Sequence, residues 1–308
     1  MKQKVLALGL SVGAFALIGC GGSNGEIPLE TPTATISEQN TTALLSSLAD
    51  TLNMPSLNNL LNNGALDGTQ GMRTTPSPAG DGWEFPEAGE EQCEVSGTKK
   101  LTYTKGSQSD ESKSTGDVAV AKVYESCKDS QKERNGKSTK GLTWTFTDTT
   151  RDYTKTKTVT NYKTTYEDGD IHNTEQYSEK TTDYEDRAKE TGKGSTEYTF
   201  TGNGKYNGLT WTVKNKKFSS SYSYTKDNKT QTRSVRLSMK KEAYGGWLTM
   251  ETTTPFKETI IESVQGNMYT TTYECEAGEA KIAAANHNIT VSCVDKNYVV
   301  KFDGEKVN

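Results

Sequence analysis

TKGLTWTFTDTTRDYTKTKTVTNYKTT, residues 139–165, holds 12 threonines in 27 residues, and their order matters more than their number. In Thr143-Trp144-Thr145-Phe146-Thr147 the aromatics take even positions and the threonines odd ones. Further on, Thr154, Thr156, Thr158 and Thr160 are even, while Tyr153 and Val159 are odd. Side chains of a strand alternate faces with period 2, so each half reads as a strand with one aromatic and one hydroxyl face. The phase flips between Asp148 and Asp152, as a hairpin turn or bulge between two strands requires.

The same texture extends outward. Tyr198-Thr-Phe200, Tyr222-Ser-Tyr224, Trp247 to Thr253, Tyr269 to Tyr273 and Ile289 to Cys293 read as further strands. Turn signals separate them at Asp168-Gly169-Asp170, Gly202-Asn203-Gly204, Asp227-Asn228, Gln265-Gly266-Asn267 and Asp295-Lys296-Asn297. No helical period long enough for βαβ units follows residue 91, which argues against a parallel sheet. The expectation over 91–308 is a mainly β fold: a large antiparallel meander of about ten to fourteen strands, a curved sheet or an open barrel. One echo stands out, Gly141-Leu-Thr-Trp-Thr-Phe146 against Gly208-Leu-Thr-Trp-Thr-Val213. Duplication and convergence account for it equally well.

Ahead of the strands, Leu44, Leu45, Leu48 and Leu52 fall at helical spacing, with Thr41 or Thr42 where an N-cap belongs. Pro55 can open a second short helix carrying Leu57, Leu60 and Leu61. A helical hairpin is expected over 40–63 and a Gly/Pro/Thr/Ser loop over 64–90. Residues 20–39 read as a flexible spacer with no apolar period.

The first residues have the zones of an export signal. Lys2 and Lys4 are followed by an uncharged, mostly apolar run from Val5 to Ile18, shorter than the roughly 20 residues of a membrane span. It ends in Leu17-Ile18-Gly19-Cys20, which resembles the lipobox of bacterial lipoproteins. The resemblance covers residues 1–20 alone. It implies cleavage after Gly19, diacylglycerol on the Cys20 thiol, and acyl chains such as palmitate as the membrane attachment. One acyl chain binds a bilayer weakly and two or more hold it stably, at roughly 0.8 kcal/mol per buried CH₂. Gly21 stands where an Asp would signal inner-membrane retention, so the outer membrane is the expected location. The Thr/Lys/Glu-rich strands are similar in texture to bacterial surface lipoproteins with large meandering sheets.

Without residues 1–19 the chain carries 34 basic and 40 acidic side chains, a poor balance for binding nucleic acid. Leu, Ile, Val and Phe make up only 48 of 308 residues, so the core is expected to be thin for this length. With Cys20 lipidated, Cys93, Cys127, Cys275 and Cys293 remain, an even number in an oxidising compartment without any CxxC pair. The pairing expected from their proximity in sequence is Cys93–Cys127 and Cys275–Cys293.

Catalytic and cofactor motifs are missing from the sequence. His172 and His287 lack partners at metal spacing, and Asp168, Asp170 and Glu175 lack the ligand pattern of a calcium loop. No cofactor is expected. The candidate ligand face is aromatic: Trp144, Phe146, Trp211, Trp247, Tyr198 and Phe200, which as a concave surface would suit a lipid, a peptide or a sugar and otherwise form the core. The leading expectation is a non-enzymatic envelope lipoprotein whose β domain binds or scaffolds something at the membrane surface, with a hydrophobic ligand or an envelope protein as the expected partner. The alternatives are a carrier of a hydrophobic ligand and an enzyme acting on polysaccharide or peptidoglycan through paired carboxylates.

Overall fold

The computed structural model describes residues 28–52, 54, 87–107, 114–226, 228–265 and 268–306. Residues 1–27, with the lipobox-like Leu17–Cys20, lie outside them, as do the expected second arm of the helical hairpin and most of the expected loop that follows.

One α-helix, two single-turn 3₁₀ helices (Glu38–Asn40 and Glu242–Tyr244) and fourteen strands make up the described chain. The helix α1 spans Thr41–Leu52. The strands are β1 Gly89–Gln92, β2 Ser96–Lys105, β3 Thr115–Lys128, β4 Lys132–Phe146, β5 Thr150–Tyr166, β6 Ile171–Asp186 and β7 Thr191–Tyr206. They continue as β8 Leu209–Thr225, β9 Asn228–Lys241, β10 Gly246–Gln265, β11 Met268–Ala283, β12 Asn288–Val294, β13 Asn297–Phe302 and β14 Glu305–Lys306. All join one antiparallel sheet in which spatial order equals chain order. The sheet stays open, since β1 and β14 are its two ends. At about 4.8 Å per strand, β1 and β11 lie about 50 Å apart along the sheet.

Residues directly opposite one another share a face. Tracing Trp144 to Tyr153, Tyr153 to Asp183, Asp183 to Gly194, Gly194 to Tyr222, Tyr222 to Gln231 and Gln231 to Glu258 follows one face from β4 to β10. This apolar face also carries Val118, Val159, Tyr177, Tyr198, Phe218, Val235 and Leu237. The opposite face collects Thr156, Thr158, Thr182, Ser195, Ser221 and Thr232. The segregation seen in residues 139–165 therefore holds across the sheet.

It survives a change of parity because several strands carry a bulge. Asn161 (φ 47°) and Asn215 (φ 54°) take the left-handed conformation that Asn tolerates, and each interrupts the register. The extra residue keeps Val159 and Tyr162 on one face although one is odd and the other even.

The core is split in two. At one end α1 lays Leu44, Leu45, Leu48 and Leu52 on Val235, Leu237, Met250, Ile282 and Ile289, with Ala34 and Ile36 sealing the margin. At the other end Leu101, Val118, Val120, Trp144 and Tyr153 form a smaller cluster. Between them, β6 and β7 contribute no residue to either cluster and form a single layer among the described residues. A chain with so few large aliphatic residues closes two small cores rather than a continuous one.

The expected spacer is fixed where it is described. Thr33 and Ala34 donate their N–H groups to the Trp247 carbonyl, Ile36 N–H bonds Asn286, and Glu30 bonds Ser238 and Lys214. Ser238 lies on the hydroxyl face and α1 on the apolar one, so residues 28–40 wrap the sheet margin and clamp β8–β10 from both sides. The turn expected at Gly202-Asn203-Gly204 also needs correction. These residues run inside β7, and the chain reverses at Asn207 (φ 49°) and Gly208 (φ 82°), the two positive φ values of a type I′ hairpin. The two copies of the Gly-Leu-Thr-Trp-Thr echo fall at the end of β4 and the start of β8, so they occupy opposite margins.

Candidate interaction surfaces of the sheet

The structure does not gather the six candidate aromatics into one site. Trp144 is 3% exposed within the smaller core, where Phe146 packs beside it. Trp211 stands at the sheet margin with its ring edge to His172, 5.9 Å between centroids. Trp247 is on the hydroxyl face, beneath the Lys214 ammonium and beside the N-terminal segment. The reason is its neighbour: Leu248 and Met250 point into the core, so Trp247 must point away.

Tyr198 lies at the centre of an aromatic ladder on the single-layer span. Its ring stacks on Tyr177 at 5.9 Å and on Phe218 at 4.9 Å. Separation near the strand spacing means that each ring presents its face to the next strand and its edge outward. Lys216 covers Tyr198, and Lys157 covers Tyr177. A flat sugar-stacking platform needs exposed ring faces, and these are occupied by each other and by lysine. The ladder braces the sheet.

Burial is the main cause of the raised phenol pKa values here. Tyr198 is pushed up to about 12 by burial and then by the Glu179 carboxylate. Tyr177, burial first and then its 2.6 Å hydrogen bond to Glu179, shifts the same way. Asp183 accepts hydrogen bonds from Tyr153 (3.0 Å) and Tyr222 (2.5 Å), joining β5, β6 and β8. Burial and Asp183 together raise the Tyr222 phenol.

Glycines make room for this row. Gly192 and Gly194 lie opposite Tyr224 and Tyr222, Gly116 opposite Trp144, and Gly204 opposite Trp211. A Cβ on Gly194 would stand 2.6 Å from the Tyr222 ring, and one on Gly116 2.2 Å from Trp144. Each large ring lies over the hydrogen-only position across the strand.

On the hydroxyl face, β5–β9 form an open concavity of about 680 Å³ whose lining includes Asp152, Thr182, Tyr184, Lys193, Ser195 and Ser221. Thr182 and Ser195 hydroxyls bond each other at 2.8 Å, and Ser223 and Thr230 do so at 3.0 Å. Such a surface offers hydrogen bonds to a polar partner. Among the described residues no three His, Cys, Asp or Glu side chains converge as a metal site.

The remaining polar candidates have structural partners. Asp168 accepts the Asp170 N–H inside the β5–β6 turn, and buried Asp170 accepts the Asn207 N–H of the next turn. His287 pairs with Asp303, holding the β11–β12 turn against β13–β14. The cysteines join as Cys93–Cys127 and Cys275–Cys293. Sequence reasoning missed the buried network in which Arg233 pairs with Glu258 and bonds Gln231, while Tyr298 donates to Glu258 at 2.7 Å. It depends on the register of β9 against β10, which one strand cannot reveal. Comparison with protein-family models, curated proteins and solved structures finds no match.

Proposed function

We propose that this chain is an exported lipoprotein, acylated on Cys20 and held at the outer membrane of a bacterial envelope, whose β domain is a non-enzymatic binding or scaffold module. One observation carries the scaffold reading: among the described residues β6 and β7 belong to neither core and form a single layer, braced on one face by the Tyr177–Tyr198–Phe218 ladder and on the other by paired hydroxyls. Such a span contributes little shelter for a ligand, and it keeps β5 of one core and β9 of the other about 20 Å apart at the strand spacing. The lobe carrying α1 is the anchored one, because the chain from Cys20 reaches it first. The eight residues from Cys20 to Pro28 can bridge at most about 28 Å. The Cys93–Cys127 lobe is then presented at the far end.

Two measurements on protein purified unreduced from membranes test this. Intact mass should include diacylglycerol, and Cys20→Ala should abolish it and release the protein from the membrane fraction. Native mass spectrometry should give the bare lipoprotein. A lipid-sized mass that denaturation releases would replace the scaffold by a carrier.

A further inference from the structure

Both chain-order ends of the sheet are blunted. The strand β1 has four residues, and its Glu90 and Glu91 are tied to Lys100 and Lys99. The strand β14 has two. Sheet edges are managed in this way because unpaired N–H and C=O groups recruit further strands. The other long edge is not managed. β12 pairs with β11 only over Glu279–Ala283, and β11 bends at Gly278 (φ 142°). Among the described residues, Met268–Glu274 therefore has a ladder partner, β10, on one side alone.

The segment reads Met268-Tyr-Thr-Thr-Thr-Tyr-Glu274. It holds no Pro, Gly or Lys, and its β-branched and aromatic residues favour extended pairing. It is also symmetric about Thr271. An antiparallel copy turned about a two-fold axis at that residue sets 271 opposite 271, 270 opposite 272, 269 opposite 273 and 268 opposite 274. Glu274, the only charge, then meets Met268, so no like charges face each other. Glu274 is also already bonded to Lys296 at 2.7 Å. Registers that slide toward the C-terminal end oppose tyrosine to threonine and bring the two Glu274 residues together. On the hydroxyl face, Ile261 lies opposite Thr272 and is 42% exposed, adding an apolar neighbour beside the edge.

We infer that the β11 edge, residues 268–274, is a self-association surface at which a second copy of this chain adds in antiparallel register centred on Thr271. The two meanders then become one continuous sheet. A seven-residue ladder buries far less than the roughly 1,200–2,000 Å² of stable complexes, so the dimer is weak and concentration-dependent.

The test uses the full-length lipoprotein in detergent micelles, with mass and sedimentation read over a concentration series. Wild type should pass from monomer to dimer as concentration rises. Thr271→Lys and Thr271→Glu each oppose like charges across the axis and should weaken dimerisation about tenfold or more. Mixing the two variants should restore a heterodimer, because position 271 faces itself. A wild type that stays monomeric, or variants that dimerise as well as it does, would overturn the inference. Should either charge variant fail to reach the wild-type circular dichroism spectrum, Thr271→Cys takes its place. It should give an oxidised dimer that exposed Thr158→Cys does not, and equal or absent cross-linking in both would reject the edge.

Discussion

Glu258 is 1% exposed and its partner Arg233 5%, so neither charge can be satisfied by bulk water. Each is tolerated because the other is there and because Tyr298 and Gln231 add hydrogen bonds to the pair. Removing one member leaves a buried charge, which costs about 3–5 kcal/mol. Glu258→Ala should therefore lower the denaturation free energy by about that amount. Glu258→Gln, which keeps an acceptor for Tyr298, should cost less, and urea titration of the two variants compares them. Tyr198 gives a pH prediction with a definite sign. Its folded pKa of about 12 exceeds the ordinary value of 10, so the fold favours the neutral phenol. That contribution is fully present below pH 10 and is lost as pH rises through about 12. Stability should fall over this window, less steeply in Tyr198→Phe, and phenolate absorbance should show one late-titrating tyrosine missing in the variant.

The elements explain which features could be read from sequence. The alternation in Thr154-Lys-Thr-Lys-Thr158 declares a strand and its two faces without reference to any neighbour, and α1 is declared by its leucine spacing. Pairings between strands are different. Gly202-Asn203-Gly204 reads as a turn from sequence, and the glycines of Thr191-Gly-Lys-Gly194 give no strand signal. Gly192, Gly194 and Gly204 lie beneath Tyr224, Tyr222 and Trp211 of β8, chosen by what stands across the ladder. The Asn-Gly pair that makes the turn, Asn207-Gly208, stands three residues past the Gly-Asn-Gly and is a hairpin signal of its own. The aromatic candidates failed as a group because parity is reset at each bulge and each turn, so Trp211 and Trp247 cannot be compared from sequence. The glycine pairing makes its own prediction. Gly194→Val must displace the Tyr222 ring and its bond to Asp183, and overpacking of this kind costs about 1–3 kcal/mol. The companion Gly194→Val/Tyr222→Ala double variant should recover part of that loss in the same thermal melt, whereas additive losses would mean that the two residues do not meet.

Taken as a whole, the molecule is a chain of nearest neighbours. Each strand of the meander bonds only the strands before and after it, and the two cores share no residue. Stability in such an array is approximately a sum of local terms and interfaces, and opening can be confined to one end. Trp144 supports the smaller core, and its truncation should cost about 3–5 kcal/mol, a large fraction of what that lobe can hold. In Trp144→Ala, amides of β2–β5 should therefore exchange hydrogen much faster, while those of β9–β12 beneath α1 keep wild-type protection. Leu48→Ala should do the reverse, opening β9–β12 and leaving β2–β4 protected. If either substitution accelerates exchange evenly across all the strands, the single-layer span transmits unfolding. The sheet would then be one cooperative unit, and the picture of two lobes held apart by a braced span would have to be abandoned.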